Sequence, residues 1–494
     1  MNKSAAETMV ALAERAHEVE LAARERSHTG IVSPPAEVEG RVFYRLHQYT
    51  LLPPEVQTQA DAVAVHLATP DVRKRVFTSP KWRHRVAKGP CVKGQKLVDA
   101  IFNFLARSRA EVPHPAEAEL LAGALVLSGF VSPTNEPSDE HDIGKYILAN
   151  EFYELVSPGA LKIMHRSAWT SPERPPMGQK LSVWAVTDGT TRAGFVYRKS
   201  EPSSARMLLS MLSMCSAQGH EVKSYVVINK IKHHALFVFR DDTAREELSH
   251  LVLDDALVEY DNGSRTSPMY HGLKIWNDDH AEWFDFLTRE QRDKWLLSIL
   301  DGGAKYKEAH PRYDELAGSN MSLYDLIDVD AVGEEIHLGI FRDKVILLVN
   351  VASRDPEAAL QYPELVELHE KYRADGLVIL ACPCDQFAAL EYEADAAILQ
   401  HLAAMYLVDF PVFAKRDVNG LDARDLFVFA NAHLPGMFGP FVEWNFTKFL
   451  FDRRGRPVKR YETSVLPHRM ENDIKALLDT QKESQTLHES VEQT

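Results

Sequence analysis

Cysteine is scarce in this sequence, with only four residues, Cys91, Cys215, Cys382 and Cys384, among 494. They are too few and too unevenly spaced for a disulfide framework, which favours a reducing compartment. No apolar run reaches bilayer length, and the N-terminus lacks the apolar stretch of a secretion signal. The sequence therefore predicts a cytoplasmic protein, with peripheral attachment to a membrane as the one form of membrane association left open.

Positive charge is in deficit, because 56 lysines and arginines face 71 acidic residues and the formal net charge is −15. We therefore expect no nucleic-acid partner bound through a globally basic surface. Phosphate-cradling glycine loops and HExxH motifs are absent. Cys382 and Cys384 have no further ligands at ordinary metal-site spacing, so the sequence predicts no metal and no resident cofactor.

The composition that remains is typical of soluble globular proteins, with 45% apolar and 26% charged residues. A chain of this length should form about three domains. Joints rich in proline, glycine and serine near residues 157–180 and 301–320 mark the boundaries. The predicted parts are an N-terminal helix (1–36), a first block (37–157), a second block (181–302), a third block (321–480) and a polar tail (481–494).

The first block has two amphipathic helical patterns and a closing strand. Leu97, Ile101, Phe104 and Leu105 recur at helical spacing, as do Leu120, Leu121, Ala124 and Leu127 before Gly129 ends the second helix. This order, with a glycine before an LVD helix and a second helix ending in GF, resembles the DEP domain. The resemblance implies a small winged-helix module of signalling proteins.

A cationic stretch, RKRVFTSPKWRHRVAK, lies inside the first block and begins with Arg73, Lys74 and Arg75. Basic residues interleaved with aromatic and apolar ones suit an anionic membrane surface, at about 1 kcal/mol per basic residue near the headgroups. The alternative is a solvated β-arm. The sequence leaves both interpretations open.

The second block consists of short alternating strands followed by one amphipathic helix that contains Trp295. This order resembles a pleckstrin-homology (PH) domain, a curved β-barrel capped by a C-terminal helix. The resemblance implies a phosphoinositide site on the first two strands, here Arg198, Lys199, Arg206 and Lys223. Tyr225 stands where such binders place an arginine, so a protein-docking or purely structural role remains the alternative.

The third block predicts a strand hairpin, a continuous buried strand (VILLVNV), a helix and a second buried strand (LVILACPC). Leu360, Leu365 and Leu368 recur at helical spacing before Gly376 ends the helix. Strand, helix and strand at this spacing form a right-handed βαβ unit that works at the C-terminal ends of its strands. The turn after VNVAS is therefore the place to look for a site.

The same block resembles the glutathione peroxidase family over about 155 residues. The motifs are KVILLVNVAS, LVELHEKY, PCDQF, FPVFAKRDVNG, WNFTKFLFDRRG and VKRYETSVLP. The resemblance implies a thioredoxin fold, so the whole chain is predicted to be a multidomain α+β and α/β protein. It also implies an active site made of a cysteine or selenocysteine after NVAS, a glutamine, a tryptophan and an asparagine. By motif, the last three are Gln386, Trp444 and Asn445.

The redox nucleophile is the member that this sequence lacks. The chain reads Asn350 to Pro356 as NVASRDP, and the ungapped spacing to Tyr362 puts Asp355 in the nucleophile slot. Peroxide reduction needs a soft anion that is oxidised to a sulfenic or selenenic state and then reduced again. A carboxylate has no such series of reversible oxidation states. The slot lies at a helix N-terminus, where an anion is favoured.

The sequence thus predicts a pseudoperoxidase that acts in intracellular signalling or membrane-associated scaffolding through its DEP-like and PH-like modules. Its partners would be an anionic or phosphoinositide membrane surface and signalling proteins. The alternative is an active thiol peroxidase that reduces hydrogen peroxide or lipid hydroperoxides in the oxidative stress response. It would use Cys384 or Cys382, with glutathione or thioredoxin as reductant. A buried, structural role is favoured for this cysteine pair.

Overall fold

The computed structural model describes residues 38–78, 90–108, 112–134, 147–156, 180–199, 221–244, 246–264, 267–318 and 320–479. The predicted N-terminal helix, Arg206 and the polar tail lie outside these residues. The described chain falls into two compact units. The first unit holds the described residues up to 196 together with 223–252, and the second holds 197–199, 221–222 and 253–479.

The first half of the first unit contains more helix than the sequence analysis predicted, because three helices precede the two that were expected. The three short strands form an antiparallel sheet in the order β1-β3-β2. The elements are α1 (Arg41–Thr50), α2 (Pro54–Ala68), α3 (Pro70–Val76), β1 (Cys91–Lys93), α4 (Gly94–Ser108), α5 (Pro115–Leu127), β2 (Val131–Pro133) and β3 (Phe152–Leu155).

The predicted helices of the first block are confirmed, but one residue of the predicted apolar face, Leu120, is exposed. Leu97, Ile101 and Leu105 of α4 are buried. In α5 the buried stripe runs through Ala118, Leu121, Ala122 and Leu125, at the spacing of one helix face, so Leu120 points outward and is 42% exposed. The β-arm interpretation of the cationic stretch was wrong for its first part, because Arg73, Lys74 and Arg75 lie on helix α3.

The rest of the first unit is an antiparallel meander. Strand β5 pairs with β6, and β6 pairs with β7. All five residues of β6, including Phe239, are buried, and Trp184 and Tyr225 lie in the same core. The strands are β4 (Thr190–Lys199), whose last three residues belong to the second unit, β5 (Glu221–Asn229), β6 (Ala235–Phe239) and β7 (Ser249–Val252).

The second unit begins with antiparallel strands and one helix, in the chain order that the sequence predicted. Strand β11 pairs with β8 and β12, and β12 pairs with the last residues of β4. Trp295 is buried in the helix, with its ring 6.1 Å from that of Phe286. The elements are β8 (Leu257–Tyr260), β9 (Gly263–Ser264), β10 (Ser267–Pro268), β11 (Gly272–Trp276), β12 (Ala281–Asp285), α6 (Arg289–Asp301), β13 (Lys305–Tyr306) and α7 (Tyr313–Gly318).

The C-terminal part of the second unit is a thioredoxin-type sheet in the order β17-β16-β18-β19. Strands β16 and β17 are parallel, and the other two pairs are antiparallel. The elements are β14 (Ile327–Val329), β15 (Glu335–His337), β16 (Val345–Val351), α8 (Ala358–Tyr372), β17 (Leu377–Pro383), α9 (Asp395–Tyr406), α10 (Asp425–His433), β18 (Lys448–Phe451), β19 (Pro457–Tyr461) and a last helix over residues 471–479.

Both faces of this sheet are covered, which explains why VILLVNV is apolar without alternation. Ile346 and Leu348 face one core, and their neighbours in β16 face the other. Helix α8 buries Leu365 and Leu368 as expected. Leu360 belongs to the predicted helix but lies off that stripe and is 55% exposed.

The described residues contain no helix with both the length and the apolar character that a membrane span requires.

Candidate active site

Asp355 lies in the turn between β16 and α8, at the position predicted from the motif spacing. Its side chain is buried, with the residue 5% exposed, and its Oδ1 accepts a hydrogen bond from the Glu357 backbone N–H at 2.8 Å. Its backbone carbonyl accepts the N–H of Ala358, the first residue of α8. The carboxylate thus takes up one of the backbone donors at the start of the helix, where a negative charge is stabilised.

Asn445 contacts this carboxylate directly. Its Nδ2 donates to Asp355 Oδ2 at 2.8 Å, and the asparagine itself is fully buried. The segment that carries Asn445 is held by Asn350, whose Oδ1 accepts the Thr447 N–H and whose Nδ2 donates to the Trp444 carbonyl. Asn350 therefore positions the segment that places Asn445 against Asp355. Because Asn350 is the first residue of the NVAS motif, the sequence contained a signal for this role.

Gln386 is buried, but its amide is occupied elsewhere. Its Oε1 accepts the backbone N–H groups of Val418 and Asn419 at 2.8 and 3.0 Å, and its Nε2 donates to the Asn419 carbonyl at 2.9 Å. Within the described residues neither Gln386 nor Trp444 makes a hydrogen bond to Asp355. The structure therefore pairs Asp355 with Asn445 and assigns the polar atoms of Gln386 to the 418–419 backbone.

Trp444 is half-buried at the edge of the same core. Its ring centroid lies 5.8 Å from that of Phe387, the residue after Gln386, at an interplanar angle of 47°. Its carbonyl accepts hydrogen bonds from Asn350 and from the Thr447 hydroxyl. The tryptophan is thus placed by packing and backbone contacts on the PCDQF loop.

The loop after Gln386 is attached to the turn that carries Asp355. Glu391 is buried, and its Oε2 accepts from both the N–H and the hydroxyl of Ser353 at 2.9 and 3.1 Å. The Arg354 guanidinium donates to the Ala389 and Glu391 carbonyls. Burial raises the pKa of Glu391. The sequence analysis missed the roles of Arg354 and Glu391, because the contact between them depends on the folding of the 389–391 loop onto the turn.

Cys382 and Cys384 lie at the C-terminal end of β17 and are fully buried and unpaired. Burial raises the pKa of Cys382 to about 12 and also raises the pKa of Cys384. Cys384 Sγ lies 3.7 Å from Gln386 Oε1 and accepts the Gln386 N–H at 3.4 Å. A thiol is therefore next to one predicted site residue, but in surroundings that keep it protonated.

The basic residues proposed for lipid binding have varied surroundings. On α3, Lys74 and Arg75 are exposed and Arg73 is half-buried. Arg198 forms a two-bond pair with Glu282, at 2.6 and 2.8 Å, and Lys199 lies 3.8 Å from Asp285. The Lys223 ammonium lies 4.7 Å from the centre of the Phe195 ring. A lipid headgroup would have to compete with carboxylates for Arg198 and Lys199.

No cluster of three or more histidine, cysteine, aspartate or glutamate side chains suited to a metal occurs in the part of the chain that the structure describes. The arrangement around Asp355 offers a carboxylate held in a fixed position, whose oxygen atoms accept hydrogen bonds. It offers no thiol at the slot itself.

The sequence pattern of the family described as glutathione peroxidase matches residues 323–431. A Mesembryanthemum crystallinum protein named "Probable phospholipid hydroperoxide glutathione peroxidase" is 42% identical over 159 residues, which are 32% of this chain and 94% of that protein. The chloroplastic phospholipid hydroperoxide glutathione peroxidase 1 of Arabidopsis thaliana is 36% identical over 37% of this chain and 78% of its own length. The crystal structure of T. cruzi GPX1 is 34% identical over 32% of this chain and 97% of that one, with a TM-score of 0.28.

Proposed function

Through its C-terminal domain the chain belongs to the glutathione peroxidase family, and we propose that it is a pseudoperoxidase, a family member whose site binds without catalysing peroxide reduction. The observation that carries this proposal is the placement of Asp355, a buried carboxylate at the start of α8 that is bonded to Asn445 and to a backbone N–H.

The chemistry of the carboxylate supports this proposal. Peroxide reduction breaks an O–O bond by attack of a soft sulfur or selenium anion, which is oxidised and then returned by a thiol reductant. Aspartate is a hard oxygen anion with no reversible two-electron couple. It can reproduce the charge of a thiolate in the slot but not its reactivity, so the site fits a binding or scaffold role.

The contact between Cys384 and Gln386 favours a second candidate, an active thiol peroxidase reducing hydrogen peroxide or lipid hydroperoxides. Phospholipid hydroperoxide is the substrate in the relatives' names. Two observations weigh against it here. Cys384 is fully buried, and its burial raises the thiol pKa, so little thiolate is present at neutral pH. Glutathione or thioredoxin would be the reductant only in this second case.

The role of the other modules is proposed from the resemblance of the first and second blocks to DEP and PH domains. They would place the C-terminal domain at an anionic or phosphoinositide membrane surface, or on a signalling protein, within the cytoplasm. The basic residues Lys74 and Arg75 support this proposal, since they are exposed on α3 next to the half-buried Arg73.

A peroxide assay tests the main proposal. Purified full-length protein is given hydrogen peroxide or a lipid hydroperoxide. The reductant is either glutathione with glutathione reductase or thioredoxin with thioredoxin reductase, and NADPH consumption is followed. We expect no turnover above that of a Cys382→Ser/Cys384→Ser double variant. Turnover that is robust in the natural chain and lost in the double variant would establish the second candidate instead.

Liposome flotation tests the membrane proposal separately. Vesicles containing phosphatidylserine or a phosphoinositide should carry the full-length protein, and neutral vesicles should not. Replacing Arg73, Lys74 and Arg75 by glutamate should abolish flotation. The same replacement of Arg454, Arg456 and Lys459, three exposed residues of the peroxidase-type domain, is the charge-matched control and should leave flotation unchanged. Flotation that is indifferent to the reversal on α3 would eliminate this surface.

A further inference from the structure

The turn from Asp417 to Gly420 lies between the candidate site and the strands and helix that precede the C-terminal domain. On one side, Val418 and Asn419 make three hydrogen bonds with the Gln386 amide. The Asn419 side chain also exchanges two hydrogen bonds of 2.8 Å with the backbone of Val442. The turn is therefore the common support of Gln386 and of the segment that leads to Asn445.

On its other side the same turn is held by residues of α6 and β8. Arg289, at the start of α6, donates to the Asp417 carboxylate and lies 3.9 Å from Asp293. The Tyr260 ring packs on Gly420, where a Cβ would come within 2.5 Å of Tyr260 Cδ2 and where φ is +89°. Glycine is thus required at this point both for the backbone conformation and for the close approach of the ring.

The residues that hold the turn are themselves fixed. The Arg292 guanidinium lies 4.4 Å from the centre of the Tyr260 ring and donates to Asp293 at 2.8 Å. Tyr260 and Asp293 are buried. Burial lowers the pKa of Arg289, but the neighbouring carboxylates, chiefly those of Asp417 and Asp293, together raise it, so the guanidinium stays charged. Such a partly buried pair is costly to break, because removing the guanidinium leaves a buried carboxylate without its counter-charge.

A second contact attaches the neighbouring segment. Tyr306 of β13 donates its backbone N–H to the Phe438 carbonyl at 2.9 Å, and its ring lies 4.8 Å from that of Phe441. Phe441 precedes Val442, the partner of Asn419. The contacts from α6, β8 and β13 therefore meet on the two segments that position Gln386 and Asn445.

From this continuous set of contacts we propose that Arg289 and Tyr260 are positioning residues for the peroxidase-type site. They act through Asp417 and Gly420 on Gln386, and through Asn419 and Val442 on the pair of Asn445 and Asp355. A displacement of helix α6 by a bound partner therefore loosens the site, and occupation of the site stabilises α6, because coupling between two places is reciprocal.

Hydrogen exchange measured by mass spectrometry on the full-length protein tests the proposal without reference to activity. Arg289→Ala should speed exchange by roughly tenfold or more in three places, residues 417–420, 384–388 and 442–446. Lys294→Ala is the matched control, since Lys294 lies on the same helix in an exposed pair with Glu290. It should leave all three regions unchanged.

Acceleration confined to residues 417–420 would show that the turn is a local support only and would overturn the proposal, as would the absence of any change. If Arg289→Ala fails to fold, Arg289→Lys and Tyr260→Leu take its place. Arg289→Lys, which keeps the charge but loses the planar donor pair, should give a smaller acceleration in the same three regions. Tyr260→Leu, which removes the ring from Gly420, should speed exchange in the same three regions, and no change there would overturn the role proposed for Tyr260. Acceleration by Arg289→Lys that leaves 384–388 and 442–446 unaffected again overturns the proposal.

Discussion

Asp355 and Cys384 follow the C-terminal ends of two neighbouring parallel strands, β16 and β17, yet their environments are opposite. Asp355 accepts hydrogen bonds from a helix-start N–H and from Asn445, as an anion needs. Cys384 is fully buried, and its burial raises the thiol pKa. One position has the surroundings of a reactive thiolate without the sulfur, and the other has the sulfur without those surroundings.

The comparison shows that the reactivity of a side chain at the C-terminal ends of these strands depends on its surroundings as much as on whether it carries sulfur. The backbone and the Asn445 amide provide donors at Asp355 whatever side chain stands there. Cys384 accepts a backbone N–H from Gln386, and within the described residues no charged side chain donates a hydrogen bond to its sulfur. The two positions can therefore be tested by introducing a cysteine at Asp355 and by measuring the reactivity of the Cys384 thiol.

The largest effect is expected from Asp355→Cys, which puts sulfur in the slot. The Glu357 N–H and the Asn445 amide should lower the thiol pKa, so the variant should react with hydrogen peroxide at neutral pH. We expect peroxidase turnover with thioredoxin or glutathione at least on the order of a hundredfold above the natural chain. NADPH-coupled turnover and trapping of the sulfenic acid by dimedone measure it.

Asp355→Ser is the matched control, because it has the shape of cysteine without its redox chemistry, and it should be inactive. A cysteine variant that forms sulfenic acid but does not turn over would show that only part of the site persists. Failure to react with peroxide at all would mean that the donors around Asp355 do not activate a thiol, which would break the comparison.

The second prediction concerns Gln386, whose amide makes three buried hydrogen bonds to residues 418–419. Gln386→Ala leaves two backbone N–H groups unpaired, so it should lower the free energy of unfolding by about 2 to 4 kcal/mol. Gln361→Ala is the control, because Gln361 is equally buried but makes one hydrogen bond, to the Thr463 carbonyl. Chemical denaturation compares the two. Equal losses would mean that the Gln386 amide bonds contribute nothing beyond packing.

The sequence was sufficient for the strands and for the slot, because both are encoded locally. The apolar run VILLVNV is typical of a strand buried on both faces, and the ungapped spacing from Ser353 to Tyr362 places Asp355 in the slot. The helix α2 also had a signal that was not used. Its buried Ala60, Val63, Ala64 and Leu67 recur at i, i+3, i+4 and i+7.

The sequence could not give the partners of Gln386, since residues 418–419 are more than 30 positions away and are brought to it by tertiary packing. The same holds for two leucines of the helical patterns. Leu120 and Leu360 fit a helical spacing, but the packing of α5 and α8 chose a neighbouring stripe. A periodic pattern predicts a helix more reliably than it predicts which face is buried.

The third prediction concerns strain in the loop that joins Gln386 to Glu391. Ala388 and Ala389 both adopt left-handed conformations, with φ of 61° and 52°. Because an L-residue is disfavoured there by roughly 1 to 2 kcal/mol, Ala388→Gly should raise the free energy of unfolding by about 0.5 to 1 kcal/mol after the entropy of glycine is counted. Ala403→Gly, at an exposed position inside α9, should lower it by about 1 kcal/mol. A loss at Ala388 would mean that the loop tolerates alanine without strain.

The smallest effect is expected at Cys382 and Cys384, whose thiols should barely react in the folded protein. Because burial raises both pKa values, to about 12 for Cys382, the native state holds these protons above the ordinary thiol range. Their alkylation by iodoacetamide should therefore stay slow at pH 7 to 9 and become fast only on unfolding. The stability that comes from keeping both thiols protonated in the folded state should therefore decline as the pH rises above about 9. Peptide mapping of alkylated protein at several pH values measures this, with the engineered thiol of Asp355→Cys as the reactive standard in the same chain. Alkylation of Cys384 at pH 7 as fast as that of the engineered thiol would mean that β17, and not β16, carries an activated sulfur, and the difference between the two strand ends would disappear.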